Sequence, residues 1–390
     1  MGRKLRVAIV HSFYRSENPS GENVTVLRQR DLLAKNGVDV ELFSVHTDDL
    51  QLEKHYGLKT AVNFTLGRGI ELRERIASFK PSLVHVHNLF PNISETDISQ
   101  LKIPYVMTVH NYRFLCANGS FFRDSQPCFD CVSMRSIPSV IHGCYHESRV
   151  ATVPLAVRNF RPIKRRPIFK NAAKIVFPSE YSQKVFTQDG EATNSTVIYQ
   201  PGPELRSMDV AAGSHQNERW LFIGRLTVEK GLRELFNSWP VEKTLGIIGS
   251  GPLEEELHRI AALRQLHVDF LGSMPHEQAL DELAKSRGLV FCSQWPEVAP
   301  LVYAESLGLR KPVISTGENA VSDWVNKHGT GAVVNAPSPE AWNASIALVE
   351  RNYEALSNRC CETFQKEFSE TTWVNNISSL YLGSLEQFNK

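Results

Sequence analysis

Leu5-Arg6-Val7-Ala8-Ile9-Val10, followed after one helical segment by Val38-Asp39-Val40-Glu41-Leu42-Phe43, is the stretch that decides the fold. The first run is short and apolar, as a strand buried inside a parallel sheet must be. A polar loop with Pro19 and Gly21 follows it. Val24, Leu27, Leu32 and Leu33 then fall at helical spacing, and Gly37 stands where a helix C-cap belongs. The second run alternates as a strand does. Strand, helix and strand make a βαβ unit, which implies a parallel sheet with ligands at the carboxyl ends of its strands.

The alternation continues through strand candidates at Leu83–His87, Tyr105–Val109, Lys174–Phe177 and Thr196–Tyr199. Gln200-Pro201-Gly202-Pro203 and the polar residues through Asn217 then read as a linker. A second series starts at Trp220–Gly224 and repeats at Leu245–Gly249, Val268–Leu271, Leu289–Cys292 and Pro312–Ser315. The expected fold class is α/β, with two Rossmann-like domains whose parallel sheets face each other across a cleft. Residues 1–202 form the first domain, with a cysteine-containing insertion at about 112–147, and residues 203–370 form the second. A final helix, 371–390, is expected to cross back to the first domain.

A chain of 390 residues is too long for one ordinary core and suits two domains. Lys and Arg number 43 against 42 Asp and Glu, so no global field favours nucleic acid, and any basic character is local. The apolar run Leu5–Val10 is too short for a signal-peptide core, and no run of apolar residues would span a membrane. Seven cysteines are an odd number, and without an export signal they are expected to be reduced. These readings point to a cytoplasmic protein.

The most informative segment is Pro296-Glu297-Val298-Ala299-Pro300-Leu301-Val302-Tyr303-Ala304-Glu305, with two carboxylates eight positions apart. A helix starting near Pro300 would turn the N–H groups of Leu301 and Val302, and its positive dipole end, toward a phosphate. Glu305, a turn into that helix, could accept hydrogen bonds from a ribose diol, and Glu297 from another polyol. On spacing alone the pair is equally an exposed loop acid and a solvated helix acid. Two further segments weigh against that. Gly224-Arg225-Leu226-Thr227-Val228-Glu229-Lys230-Gly231 puts two cations and a tight turn after the first strand of the second series. Gly249-Ser250-Gly251-Pro252 is a glycine turn where backbone can approach a ligand closely.

In this order the motifs resemble the retaining glycosyltransferases of family four (glycosyl transferases group 1), which have the GT-B fold. The resemblance covers nearly the whole chain. It rests on the E-x(7)-E pair Glu297 and Glu305, Gly224 to Gly231, Gly249 to Pro252, a glycine loop at Gly21, and His110. It implies a sugar transferred from a nucleotide-sugar donor, a UDP- or GDP-sugar, to a glycan or lipid-linked acceptor, in surface polysaccharide or glycolipid synthesis. Arg225 and Lys230 would stabilise the leaving diphosphate, a group of this kind typically contributing about 3 kcal/mol, and no catalytic metal is implied. Gly21, Gly224, Gly249 and Gly251 would bring backbone to the donor. Glu297 would hold hydroxyls of the sugar, Glu305 the ribose, and His110 would lie near the sugar, so that Glu297 and His110 are the catalytic candidates. Two departures stand out. Val298-Ala299-Pro300 replaces the Gly-Phe-Gly of many relatives, and Asn111 stands where many carry Asp after the histidine.

Cys116, Cys128, Cys131 and Cys144 fall within 29 residues, with Cys128 and Cys131 as a C-x2-C. Four thiolates could hold one structural zinc, or they could be ordinary reduced cysteines, and the spacing leaves both readings open. Between Arg149 and Lys170 there are seven Lys or Arg and no acid, interleaved with Val153, Leu155, Val157, Phe160, Ile163, Ile168 and Phe169. That pattern reads as an anionic-membrane surface at 149–170, peripheral on the inner leaflet, or equally as a solvated basic helix. Other functions compete with transfer. A nucleotide-sugar epimerase or a phosphorylase shares the fold, although a pyridoxal-type phosphorylase would need a far longer chain. A nucleotide-sugar-binding protein without turnover is the third reading.

Overall fold

The computed structural model describes residues 5–16, 21–52, 56–57, 60, 70–188, 194–203 and 217–388. Of the expected linker, residues 204–216 lie outside the described residues, as does Pro19 of the first loop. The chain divides into two compact units. One comprises residues 1–121, 129–200 and 373–390, and the other 122–128 and 201–372.

The first unit is built on a six-stranded sheet of β1 (Arg6–Phe13), β2 (Asp39–His46), β3 (Leu83–Val86), β4 (Tyr105–Thr108), β7 (Lys174–Phe177) and β8 (Ser195–Val197). Its order is β2-β1-β3-β4-β7-β8, and every pairing is parallel. Strands β1, β3 and β4 are buried along almost their whole length because helices cover both faces. Between β4 and β7 a two-stranded antiparallel ribbon pairs β5 (Phe122–Arg123) with β6 (Gln126–Pro127). Two residues in each strand gave no sequence signal.

The second sheet consists of β9 (Trp220–Ile223), β10 (Leu245–Ile248), β11 (Val268–Gly272), β12 (Gly288–Phe291), β13 (Val313–Thr316) and β14 (Gly331–Val334). It too is parallel throughout, in the order β11-β10-β9-β12-β13-β14. Strand β14 escaped the sequence reading because Gly331 leaves only Ala332, Val333 and Val334 as an apolar run. It needs that glycine: a Cβ there would stand 1.8 Å from the Val313 carbonyl oxygen on the neighbouring strand.

In each sheet the strand order reverses once beside the first strand, at β1/β3 and at β9/β12. Loops leaving two such strands run in opposite directions and open a crevice at their carboxyl ends. The helices that matter below are α1 (Gly21–Lys35), α2 (Ile137–His142), α3 (Arg149–Asn159), α4 (Glu254–Arg264), α5 (His276–Lys285), α6 (Leu301–Gly308), α7 (Ala320–His328) and α8 (Glu370–Phe388). The chain passes from the second unit to the first within α8, whose Trp373, Ile377 and Tyr381 join Val7, Ile9, Leu83 and Val106 in the core of the first unit.

Candidate active site

In the second unit, four segments of the motif set meet at the reversal between β9 and β12. The loop after β9 makes a short 3-10 turn, Val228–Lys230, and closes at Gly231, which has φ +73°. A Cβ on Gly231 would stand 1.9 Å from the Cys292 carbonyl oxygen at the end of β12. The Cys292 thiol in turn donates to the Lys230 carbonyl at 3.1 Å, and its pKa is pushed up mainly by burial. Glycine therefore lets the first loop lie directly on the end of β12, and that docking aims Lys230.

Lys230 Nζ donates to Glu297 Oε1 at 2.6 Å, and Ser293 Oγ donates to the same oxygen at 2.6 Å. Glu297 is only 8% exposed, and the Lys230 ammonium lies 5.6 Å from the centre of the Trp295 ring. Burial alone would raise the Glu297 pKa. The Lys230 charge, its hydrogen bond and the Ser293 hydroxyl outweigh burial and hold it below the usual carboxylate range. Lysine and carboxylate thus form an ionised pair, sequestered from water. Arg225 is different, with its side chain 69% exposed and one guanidinium nitrogen 3.3 Å from Glu229. It is a cation with room to bind something else.

Helix α6 starts at Leu301 with Pro300 as N-cap, and Leu301 and Val302 are its first, half-buried residues. Its opening N–H groups have no carbonyl one turn earlier to bond. Glu305, one turn in, is buried, and the exposed His276 at the start of α5 donates from Nε2 to Glu305 Oε1 at 2.8 Å. Next door, Asn319 caps α7 by accepting from the Val321 and Ser322 N–H groups, and its amide donates to the Ser293 carbonyl. Ser293, Asn319 and His276 were not singled out in the sequence, since polar residues at loop ends carry no local pattern.

Gly249 and Gly251 lie tightly against the loop after β9. A Cβ on Gly249 would stand 1.9 Å from the Gly224 carbonyl oxygen, and one on Gly251 would stand 2.5 Å from that of Leu226. The Gly224 N–H donates to the Ile248 carbonyl at 3.0 Å and the Leu226 N–H to that of Ser250 at 3.0 Å. Their missing side chains make room for the protein's own loop after β9, ahead of helix α4.

In the first unit, the carboxyl ends of β1, β3 and β4 gather His11, His85, His87 and His110. The His85 and His87 ring centres are 4.1 Å apart, and those of His87 and His110 are 5.1 Å apart and stacked. His11 Nδ1 accepts from the Asn88 N–H at 3.4 Å, so its Nε2–H donates to Asn23 Oδ1 on α1 at 3.0 Å. His87 Nδ1 lies 2.7 Å from His110 Nε2 and one of the two must donate. Among the described residues His87 Nε2 is buried without a hydrogen-bond partner. An orphaned acceptor costs less than an orphaned N–H, so the proton sits on His87 Nδ1 and His110 carries its own on Nδ1. Burial depresses all four, His11 to about 4, His85 and His110 to about 3, and His87 well below the usual value. At neutral pH His110 is thus a neutral hydrogen-bonding group. Gly21 opens α1 in an exposed position, immediately after residues outside the description.

With this geometry in view, two family models match: Glycosyltransferase Family 4 over residues 19–201, and Glycosyl transferases group 1 over residues 209–366. The chain belongs to glycosyltransferase family four. Its fold is GT-B and it is a glycosyltransferase. Similar solved structures include HepE of Anabaena in complex with UDP, at 16% identity and TM-score 0.59 over 96% of this chain and 99% of that one. The UDP-glucose complex of the same protein gives 17%, 0.58, 96% and 98%. Sucrose-phosphate synthase from Thermosynechococcus elongatus gives 17%, 0.66, 97% and 99%. No curated protein matches the sequence.

For the glycosyltransferase's Asn111, the residue that follows His110, the structure shows what occupies the surroundings. The Asn111 amide donates to Glu22 Oε2 at 3.2 Å, and the Arg113 N–H donates to Asn111 Oδ1 at 3.1 Å. Burial raises the Glu22 carboxyl to about 7 against the pull of Asn111 and Arg113, and Glu22 in turn pushes the Tyr14 phenol up beyond what burial does. An amide at position 111 lets this single carboxyl sit there without a second beside it. Glu22 escaped notice because an acid at a helix start looks like an ordinary partner of the dipole.

Among the described residues no disulfide joins the seven cysteines, and no group of three or more His, Cys, Asp or Glu could hold a metal. Of the four cysteines weighed as zinc ligands, Cys116, Cys131 and Cys144 belong to the first unit and Cys128 to the second. Cys116 is buried after β4, whereas the other three are half-buried along the loop and short helices that follow. The basic segment also changes character. Arg158 and Arg166 turn inward onto Glu95, and Arg166 is only 2% exposed. Leu155, Ile163, Ile168 and Phe169 are core residues. Among the described residues no helix is long and apolar enough to cross a membrane.

Proposed function

We propose that this glycosyltransferase moves a sugar, with retention, from a UDP-sugar to a glycan or lipid-linked acceptor, without a catalytic metal. The observation that carries the reading is the Lys230–Glu297 pair held at the β9/β12 reversal. Lys230, positioned by Glu297, has further N–H donors to turn to a leaving diphosphate, and the exposed Arg225 supplies a cation not buried in a pair. The unused oxygen of Glu297 accepts hydrogen bonds from hydroxyls of the donor sugar, and Glu305, steadied by His276, accepts from the ribose. The first N–H groups of α6 add a neutral anion cradle. Glu297 is already committed to Lys230 and Ser293, so it serves as a holder of hydroxyls rather than an acid. His110, neutral and fixed by His87, presents a hydrogen-bond donor to the substrate. UDP as the nucleotide is supported by the HepE complexes.

Thermal-shift measurements against UDP-, GDP-, dTDP- and ADP-sugars test the donor, with the largest stabilisation expected from a UDP-sugar. Absence of stabilisation by every nucleotide and nucleotide sugar would remove the proposal. Retention is read by proton NMR of the sugar released during slow donor hydrolysis, which should first appear with the anomeric configuration it had in the donor.

A further inference from the structure

Helices α2 and α3 of the first unit carry an apolar face turned to solvent. On α3, Val150, Val153, Val157 and the following Phe160 recur at spacings of three, four and three, which puts them on one stripe. They are 83%, 44%, 59% and 49% exposed, and on α2 Ile137 and Ile141 are exposed to a similar degree. The opposite side of α3 is firmly attached. Thr152, Leu155, Ala156 and Asn159 are buried, Leu155 packs with Phe90 and Ala117, and the Asn159 amide donates to the Arg113 carbonyl at 2.8 Å. One face of the helix is therefore fixed in the fold while the other holds β-branched side chains in water.

The same stretch of chain carries Arg135, Arg149, Arg161, Lys164, Arg165 and Lys170, all exposed. Between residues 129 and 170 the exposed acids are Asp130 and Glu147 alone. We propose that the α2–α3 face docks on an anionic lipid surface, its valines and isoleucines entering the acyl boundary while the cations of this stretch meet lipid phosphates. The charge pattern selects this occupant. A second copy of the chain would bring the same cations against their like. A protein partner would be expected to find Trp or Tyr anchors, which the stripe lacks. The residues differ from those that composition alone suggests for 149–170: four of the seven apolar residues of that set are core, and Ile137 and Ile141 lie outside it. The proposal does not depend on the donor reading.

The test is co-sedimentation of the full-length protein with vesicles of phosphatidylcholine alone and of phosphatidylcholine containing one-third phosphatidylglycerol, at low and high salt. Binding is expected only to the anionic vesicles, weakening as salt rises. Each surface cation strengthens partition about fivefold, so a Lys164→Ala/Arg165→Ala double variant should bind roughly 25-fold more weakly. Val153→Asp/Val157→Asp should lose binding at least about tenfold, with an unchanged melting curve showing that the fold is intact. Failure of the wild type to bind anionic vesicles at low salt would overturn the proposal, as would undiminished binding by the valine variant. Concentration-dependent dimerisation abolished by the valine variant would instead assign the face to self-association.

Discussion

Replacing Lys230 by methionine removes the cation but leaves Glu297 buried. The pair is 2.6 Å apart, and at an effective dielectric of about 20 its attraction is worth roughly 6 kcal/mol. Desolvating two ions costs several kcal/mol each, so the intact pair contributes little net stability. Breaking it is another matter, because the carboxylate loses its counter-charge while staying buried beside Ser293. Lys230→Met is therefore expected to destabilise the second unit by about 3 to 5 kcal/mol. Without the ammonium, burial dominates and the Glu297 pKa in the folded state rises above its unfolded value. The deficit should then grow as pH rises from the unfolded carboxyl pKa through that raised value, and shrink in acid. Glu297→Gln on the Lys230→Met background removes the charge while keeping a hydrogen-bond acceptor for Ser293. It should recover about 2 kcal/mol or more as a coupling energy. Urea unfolding followed by tryptophan fluorescence, at several pH values, measures all four corners of the cycle. Sugar transfer, assayed in parallel, should be lost in both single variants and not return in the double. A double variant as unstable as Lys230→Met, or a single loss under about 1 kcal/mol, would refute the claim that the pair is ionised and sequestered.

Gly231→Ala combines a left-handed φ with a Cβ aimed at the Cys292 carbonyl, so it should cost about 2 to 4 kcal/mol by chemical denaturation and weaken nucleotide binding by displacing Lys230. Three histidines, His11, His85 and His87, are fully buried with folded pKa values below their unfolded ones, so their stabilisation is present above about pH 6.5 and lost below it. Between about pH 7.5 and about pH 5.5 the loss should approach 4 kcal/mol, measured as the fall in unfolding free energy of the first unit, and a flat profile would contradict neutral histidines. Glu22 has the opposite sign: its raised folded pKa lowers stability as pH climbs from the unfolded carboxyl value to about 7. Glu22→Gln should therefore gain stability over the wild type by more at about pH 8 than at about pH 5, the difference being at most about 3 kcal/mol.

What the sequence disclosed followed from burial. Val7 to Val10 and Leu245 to Ile248 announce themselves as strands because both faces are covered, leaving only apolar residues. The identities of Lys230, Glu297 and Glu305 were equally plain. Their relations were not, since Lys230 meets Glu297 only because β9 and β12 are neighbours, and strand order is a tertiary fact. Glu22 and Asn111 come together across 89 positions by the same route. His85 and His87 alternate on β3 and so share a face, which could have pointed to a histidine cluster had His11 and His110 been placed beside them. The basic segment misled in the other direction. Arg158 and Arg166 look like surface charges in a list of residues, and only the position of Glu95 makes them internal.

The last helix has a consequence for biosynthesis. Trp373, Ile377 and Tyr381 fill the core beneath β1 and β3, and the Tyr381 hydroxyl lies 2.6 Å from His85 Nδ1. A chain emerging from the ribosome therefore presents its first 200 residues with part of their interior missing, and that gap closes only after the second unit has been synthesised. During translation the amino-terminal unit must wait as an incomplete body with wettable apolar side chains. The second unit, whose own core needs nothing from α8 beyond Thr372, can close first. Folding order along this polypeptide is thus expected to run against the order of synthesis.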